Sequence, residues 1–219
     1  MATSNDAGFR ARMHALVATD EQLTRAKNLT RAYWEPGRYT GPHFDQLHDA
    51  EHPNEITERD LVAVSMLSVT IPPRVAIWLL SERGREQVGE LLSRVPPQAN
   101  LATDGHLLDD DGDLYRLWKL LGRASWPTED PANGMRTTKT SKLLAAKRPH
   151  LVPVYDSVIR ELLGPVDNYW AAYRHALDPD GLERWAAATA AAPAEVPLLR
   201  RIDALLWMFG TQGVKPGDE

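Results

Sequence analysis

Cysteine is absent from the 219-residue chain. Disulfides, thiolate nucleophiles, iron–sulfur clusters and cysteine-bound zinc are thereby excluded, and nothing calls for an oxidising compartment. Long apolar runs are also missing. No stretch approaches the roughly 20 residues that a membrane span needs, and the opening MATSNDAGFRARMHAL has no apolar centre of the kind a signal peptide carries. The expected compartment is the cytoplasm. Neither an internal repeat nor an alternating strand pattern is present, which removes solenoids and β-sandwiches. Excess positive charge is lacking too: the net charge is −5 and the pI about 5.8, which disfavours coating of nucleic acid by bulk attraction.

Helix signals dominate what remains. With 43% hydrophobic residues the chain can bury one sizeable core. The expected architecture is all-α: a compact multi-helix domain over residues 19–210 with room for two lobes, a loose end or short helix over 1–18, and a disordered tail over 211–219. Asp20 is placed to cap a helix ended by Pro36 and Gly37. A polar connection follows from Arg38 to Glu55. Thr57 and Asp60 form a capping-box pattern with Ile56 as its staple, announcing a helix through Val69. Its segment LVAVSMLSV is apolar nearly all round and is expected to be the central buried helix. Pro73 can open the next helix at its first position, with a break near Gly84. Further helices are expected from Leu114 to Leu121, Lys139 to Ala146, Ser157 to Leu163, Asn168 to Leu177, Gly181 to Ala191 and Val196 to Phe209, with a loop over Gly122 to Asn133.

Charge is distributed unevenly. From Gly134 to Arg160 the basic residues are Arg136, Lys139, Lys142, Lys147, Arg148 and Arg160 against the single acid Asp156, so this segment carries +5 and the remainder −10. An acidic body with one basic segment can direct a polyanion to a single place, because clustered charges act within about a Debye length; the alternative is a solvated helix face. The segment reads as a glycine turn, a basic helix, a proline-bounded connection and an Asp at the mouth of another helix. A turn leading into a helix N-terminus offers free N–H groups to phosphate.

These residues, Gly134, Lys139-Thr140-Ser141 and Val154-Tyr155-Asp156-Ser157-Val158 with Arg160, resemble the helix–hairpin–helix DNA glycosylase superfamily, including its endonuclease III-like branch. The resemblance spans Gly134 to Gly164. It implies a helix–hairpin–helix fold, DNA as partner, and phosphate contacts from Gly134, Arg136, Lys139, Lys142 and Arg160. It also implies Asp156 as the carboxylate that stabilises a cationic sugar or orients a nucleophile, and Lys139 as the amine nucleophile of a glycosylase-lyase. Arg136 stands where that superfamily has its second hairpin glycine, and the cysteine cluster of one branch has no counterpart. No cofactor is implied. The region from Tyr39 through Pro73 and the ending RRIDALLWMFG resemble a family of small bacterial proteins to which no activity is attached, and this likeness covers most of the chain.

Each site has a plainer reading beside it. Asp156 is also a good N-cap for the helix after it, and Lys139 is an ordinary solvated lysine unless burial or a neighbouring cation depresses its pKa. His43, Asp45, His48, Asp49 and His52 cluster between Pro42 and Pro53, where His48 and His52 would share a helix face; with no third ligand fixed by a motif, a polar loop is expected there and no metal. Asp109-Asp110-Asp111-Gly112-Asp113 resembles a calcium loop, yet Leu107 and Trp118 occupy its end-ligand positions. Arg200, Asp203 and Trp207 can meet on one helix face as an ion pair beside a core tryptophan. The seven tryptophans are expected mainly in the core, with one or two free to stack on a base. The leading expectation is a nucleic-acid-binding, glycosylase-like protein. The alternatives are a non-catalytic DNA-binding module and a helical interaction or regulatory protein that binds no nucleic acid.

Overall fold

A computed structural model describes residues 4–213, which are helical without a strand among them. They divide into two compact units, one made of the residues up to Tyr39 together with those from Pro153 onward, the other running from Thr40 to Val152. None of the helices is long and apolar enough to cross a membrane.

The first unit contains α1 (Ser4–Ala15), α2 (Asp20–Tyr33), α10 (Ser157–Leu163), α11 (Tyr169–Ala176), α12 (Pro179–Ala188) and α13 (Leu198–Thr211). Where a loose end or short helix is expected, α1 forms three turns, held because Phe9 and Met13 are fully buried and Phe9 lies against Tyr173. Arg10 pairs with Asp178, and Arg12 Nε donates to the Leu163 carbonyl at 2.5 Å. The start of α2 is capped by Thr19, not Asp20: Thr19 Oγ accepts from the Gln22 N–H while the Gln22 side chain accepts from the Thr19 N–H. The last helix, α13, packs on α2 and α10. There Tyr33, Ala204 and Met208 form a buried cluster with Tyr39 and Trp207 against it. Thr211 closes α13, Gln212 and Gly213 make a turn, and the rest of the expected tail lies outside the described residues, as do residues 1–3.

The second unit contains α3 (Pro42–Leu47), α4 (Glu58–Ser65), α5 (Pro73–Leu80), α6 (Glu82–Ser93), α7 (Leu101–Asp104) with a 3₁₀ turn to Leu108, α8 (Asp113–Leu121) and α9 (Thr137–Lys147). The capping box at Thr57 and Asp60 is present, but α4 stops at Ser65 rather than Val69. Its last bonds tighten to the i→i+3 pattern, and Ser68 turns left-handed at φ 61°. Val62 is 51% exposed, so this is not the central helix. That place belongs to α9, in which every residue from Thr140 to Lys147 is buried. The polar connection conceals α3, begun by Pro42 at its first position. Ser81, at once C-cap of α5 and N-cap of α6, makes the expected break three residues before Gly84. Gly84 is required because a Cβ there would lie 1.9 Å from the Trp78 carbonyl oxygen.

Candidate functional site

The basic segment does not act as one surface. Its buried cations are directed inward onto backbone carbonyl oxygens, several of them at or just past the ends of α4 and α6. Lys142 Nζ donates to the Leu67 carbonyl at 2.8 Å, just past the end of α4. Lys147 Nζ lies 2.6 Å from Asp60 Oδ2 and donates to the carbonyls of Asp49 and His52. Burial lowers the Lys147 pKa, and the carboxylates of Asp60 and Asp49 push back. Arg148 is wholly buried and its five hydrogen bonds all end on neutral oxygens: the carbonyls of Leu92, Val95, Pro53 and Lys147 and the side-chain oxygen of Asn54, at 2.6–2.8 Å. Burial brings its pKa down to about 10, so the guanidinium stays charged at neutral pH. Positive charge at the C-terminal ends of α4 and α6 matches the dipoles of those helices.

The start of α9 is different. Gly134 is exposed at φ 80°, and the N-cap residue Arg136 gives no side-chain bond to the helix. Arg136 is exposed and Lys139 half-buried, and neither side chain has a hydrogen-bond or ion-pair partner among the described residues. The first turn of α9 therefore has no side-chain cap and carries two unengaged cations, at its N-cap and three residues on, a combination suited to a phosphate oxyanion. Of the residues singled out for DNA contact, Gly134, Arg136 and Lys139 come together here in the second unit. Lys142 lies on the same helix with its head turned to Leu67.

Asp156 and Arg160 belong to the first unit. Asp156 is 8% exposed and caps α10, its Oδ1 accepting from the Ile159 N–H at 3.1 Å. Arg160 is exposed on that helix. The stretch leading to Asp156 is fastened to α13: the Val154 N–H donates to Asp203 Oδ2 at 2.9 Å, and the same oxygen lies 3.2 Å from Arg200. The expected intrahelical ion pair is thus present. Burial raises the Asp203 carboxyl to about pKa 7 in spite of Arg200 and the Val154 N–H, with Asp156 pushing the same way. Tyr155 stacks on Tyr169 beside this cluster, ring centroids 4.9 Å apart.

The histidine stretch builds a carboxylate knot. Asp49 accepts from the Glu51 and His52 N–H groups, from His52 Nδ1 at 3.0 Å and from the Thr57 hydroxyl. Burial would raise its pKa, but the bonds from His52 and Thr57 prevail and hold it at about 2. His43 Nδ1 pairs with Gln46. Among the described residues no three His, Asp or Glu side chains are grouped to hold a metal ion.

One surface residue stands out only in three dimensions. Trp126 is 49% exposed and is, among the described residues, the one tryptophan that counts with the exposed large hydrophobic side chains. Its place in the loop Gly122 to Asn133, outside any helical periodicity, is the signal in the sequence that it has no core face.

A family model described as a family of unknown function (DUF6308) matches residues 26–210, from within α2 nearly to the end of α13. No curated protein and no solved structure matches the chain.

Proposed function

The chain belongs to this family of unknown function, and we propose that it binds the phosphate backbone of a nucleic acid through the start of α9. The supporting observation is the pair of unengaged cations, Arg136 and Lys139, flanking a helix start without a side-chain cap. Because Lys142, Lys147 and Arg148 are occupied inside the unit, this reading requires few phosphate contacts. Each contact contributes about −0.9 to the slope of log Kobs against log salt on duplex DNA. Two contacts give a slope of about −2, whereas all six cations of the segment on the surface would give about −5.

Fluorescence anisotropy of labelled DNA titrated with the full chain at several salt concentrations tests this. The expected result is weak binding with the shallow slope, lost in the double charge reversal Arg136→Glu, Lys139→Glu. Binding that ignores salt, or survives the reversal unchanged, overturns the proposal.

Cleavage of an N-glycosidic bond by Asp156 is the second reading. It rests on the Val-Tyr-Asp-Ser-Val motif, in which the Asp156 carboxylate is held at the start of α10 by an N-cap bond that serves the helix equally well. Under it, wild type acts on one of abasic, uracil-containing or alkylated duplexes, and Asp156→Asn lowers the rate at least about 100-fold, the scale of losing one electrostatic stabiliser. Equal or absent activity in both removes catalysis.

A further inference from the structure

We infer that Trp126 is a stacking platform for an unpaired nucleobase, which makes the preferred ligand a single-stranded nucleic acid; the inference rests on the phosphate-binding reading above. Half of the Trp126 residue lies in water, and its ring makes no ring–ring contact among the described residues. A single exposed aromatic side chain is ordinary by itself; what marks this one is the unpaired positive charge that the same loop and its flanks carry. The main chain that carries the ring is nevertheless held in place. The backbone N–H of Trp126 donates to the Arg74 carbonyl in the first turn of α5 at 3.2 Å. The Asn133 side chain closes the same loop, donating to the carbonyls of Leu121 and Ala124 and accepting from the Met135 N–H, each at 2.8 Å.

The far end of the loop returns to the same helix end. A Cβ at Gly134 would come within 3.2 Å of Pro72 Cγ, and Pro72 is the N-cap of α5. The Trp126 backbone and the Gly134 turn that leads into α9 thus both meet the start of α5, which brings the two ends of the loop to the same helix end.

Charge selects the occupant. Arg123 lies in this loop, Arg74 at the helix start that holds its backbone, and Arg136 and Lys139 just after it in the chain, and none of the four has a side-chain partner among the described residues. The acids nearby are engaged: Glu129 lies 3.8 Å from Arg83, and Asp130 Oδ1 accepts from the Ala132 N–H. A flat aromatic face among free cations is complementary to a strand that offers a base face and phosphates together. In a duplex both faces of each base are covered by stacking, so only an unpaired base can meet the ring.

The experiment measures binding of the full chain to fluorescein-labelled oligothymidylate of about ten nucleotides, to oligouridylate of the same length and to a duplex. Wild type is expected to prefer the single strands, with the two homopolymers separating DNA from RNA as the source. Trp126→Ala should weaken single-strand binding about 5- to 100-fold, the range for losing one stacked base, with the salt slope and the duplex affinity unchanged. Trp126→Phe should stay within about threefold of wild type, since stacking tolerates the smaller ring.

Equal single-strand affinity in wild type and Trp126→Ala overturns the stacking role and leaves the phosphate contact standing. A loss in Trp126→Phe as large as in Trp126→Ala also overturns it, because the ring would then not be acting by stacking. No binding of wild type to any of the three probes overturns both readings. Displacement by polyglutamate as efficient as by unlabelled oligothymidylate overturns it in favour of an acidic protein partner.

Discussion

Replacing Arg148 by Met removes a fully buried cation whose partners are all neutral oxygens, so the consequence follows from hydrogen bonding and desolvation alone. Four of its bonds reach other parts of the unit, to Leu92, Val95, Pro53 and Asn54. Hydrogen bonds from a charged donor contribute about 1.5–3 kcal/mol each, and the lower end applies here because the Leu92 carbonyl also accepts from the Val95 N–H. Against a gross loss of roughly 6–8 kcal/mol stands the relief of desolvating the guanidinium. Burial lowers its pKa to about 10, equivalent to about 3 kcal/mol at 1.36 kcal/mol per pH unit. The net destabilisation is then about 3–5 kcal/mol, a large part of the roughly 5–15 kcal/mol that a folded chain has. Thermal unfolding followed by circular dichroism should shift down by about 10 °C. Arg148→Lys keeps the charge but offers three donors instead of five and should fall between the two. If Arg148→Met unfolds within 1 kcal/mol of wild type in urea, on the order of the error of the method, the carbonyl ends of α6 do not depend on this cation and the reasoning fails.

Asp60→Asn should cost about 3–5 kcal/mol by leaving the Lys147 ammonium buried without its carboxylate; the double change Asp60→Leu, Lys147→Met should cost less than the sum of the single changes in urea titrations, and additivity would show that the pair is not coupled. For Asp203 the folded pKa of about 7 lies above the ordinary aspartate value of about 3.9, so the folded state binds the proton more tightly. The stabilisation is complete below about pH 4 and is lost as the pH rises to about 7, with at most about 4 kcal/mol at stake. Urea midpoints between pH 4 and 8 should therefore decline with pH less in Asp203→Asn than in wild type, and superimposable profiles would refute the shift. Charge reversal at Lys142 should lower the melting temperature, not merely a DNA affinity, because its head group terminates α4; a variant that melts like wild type would return this lysine to the surface.

What the sequence made legible was mostly local. The capping pair Thr57 and Asp60, Pro73 at the first position of α5, the loop from Gly122 and the bounds of α10 depend on residues within one turn of each other, so pattern reading finds them. Burial of whole helices was less accessible. The run LVAVSMLSV is more apolar than TTKTSKLLAAK, yet the second is central and the first is edged with solvent. The difference lies in Lys142 and Lys147, whose partners Leu67 and Asp49 stand 75 and 98 residues away. A lysine that will cap a distant helix end has the same letter as one that will face water. The site divides along the same line: Gly134, Arg136 and Lys139 are neighbours in the chain, whereas the fastening of the Trp126 backbone to the start of α5 depends on a bond that leaves no periodic trace.

The chain's route through its two units also orders its synthesis. Residues 40–152 form a contiguous unit and are complete once they have emerged, whereas the other unit is assembled from both ends of the polypeptide. Tyr33 and Tyr39 wait for Trp207, and Val154 waits for Asp203, until the last helix leaves the ribosome. A nascent chain halted before α13 would thus carry one finished body and one whose amino-terminal helices still expose their apolar faces, the stage at which a chaperone would find most to hold.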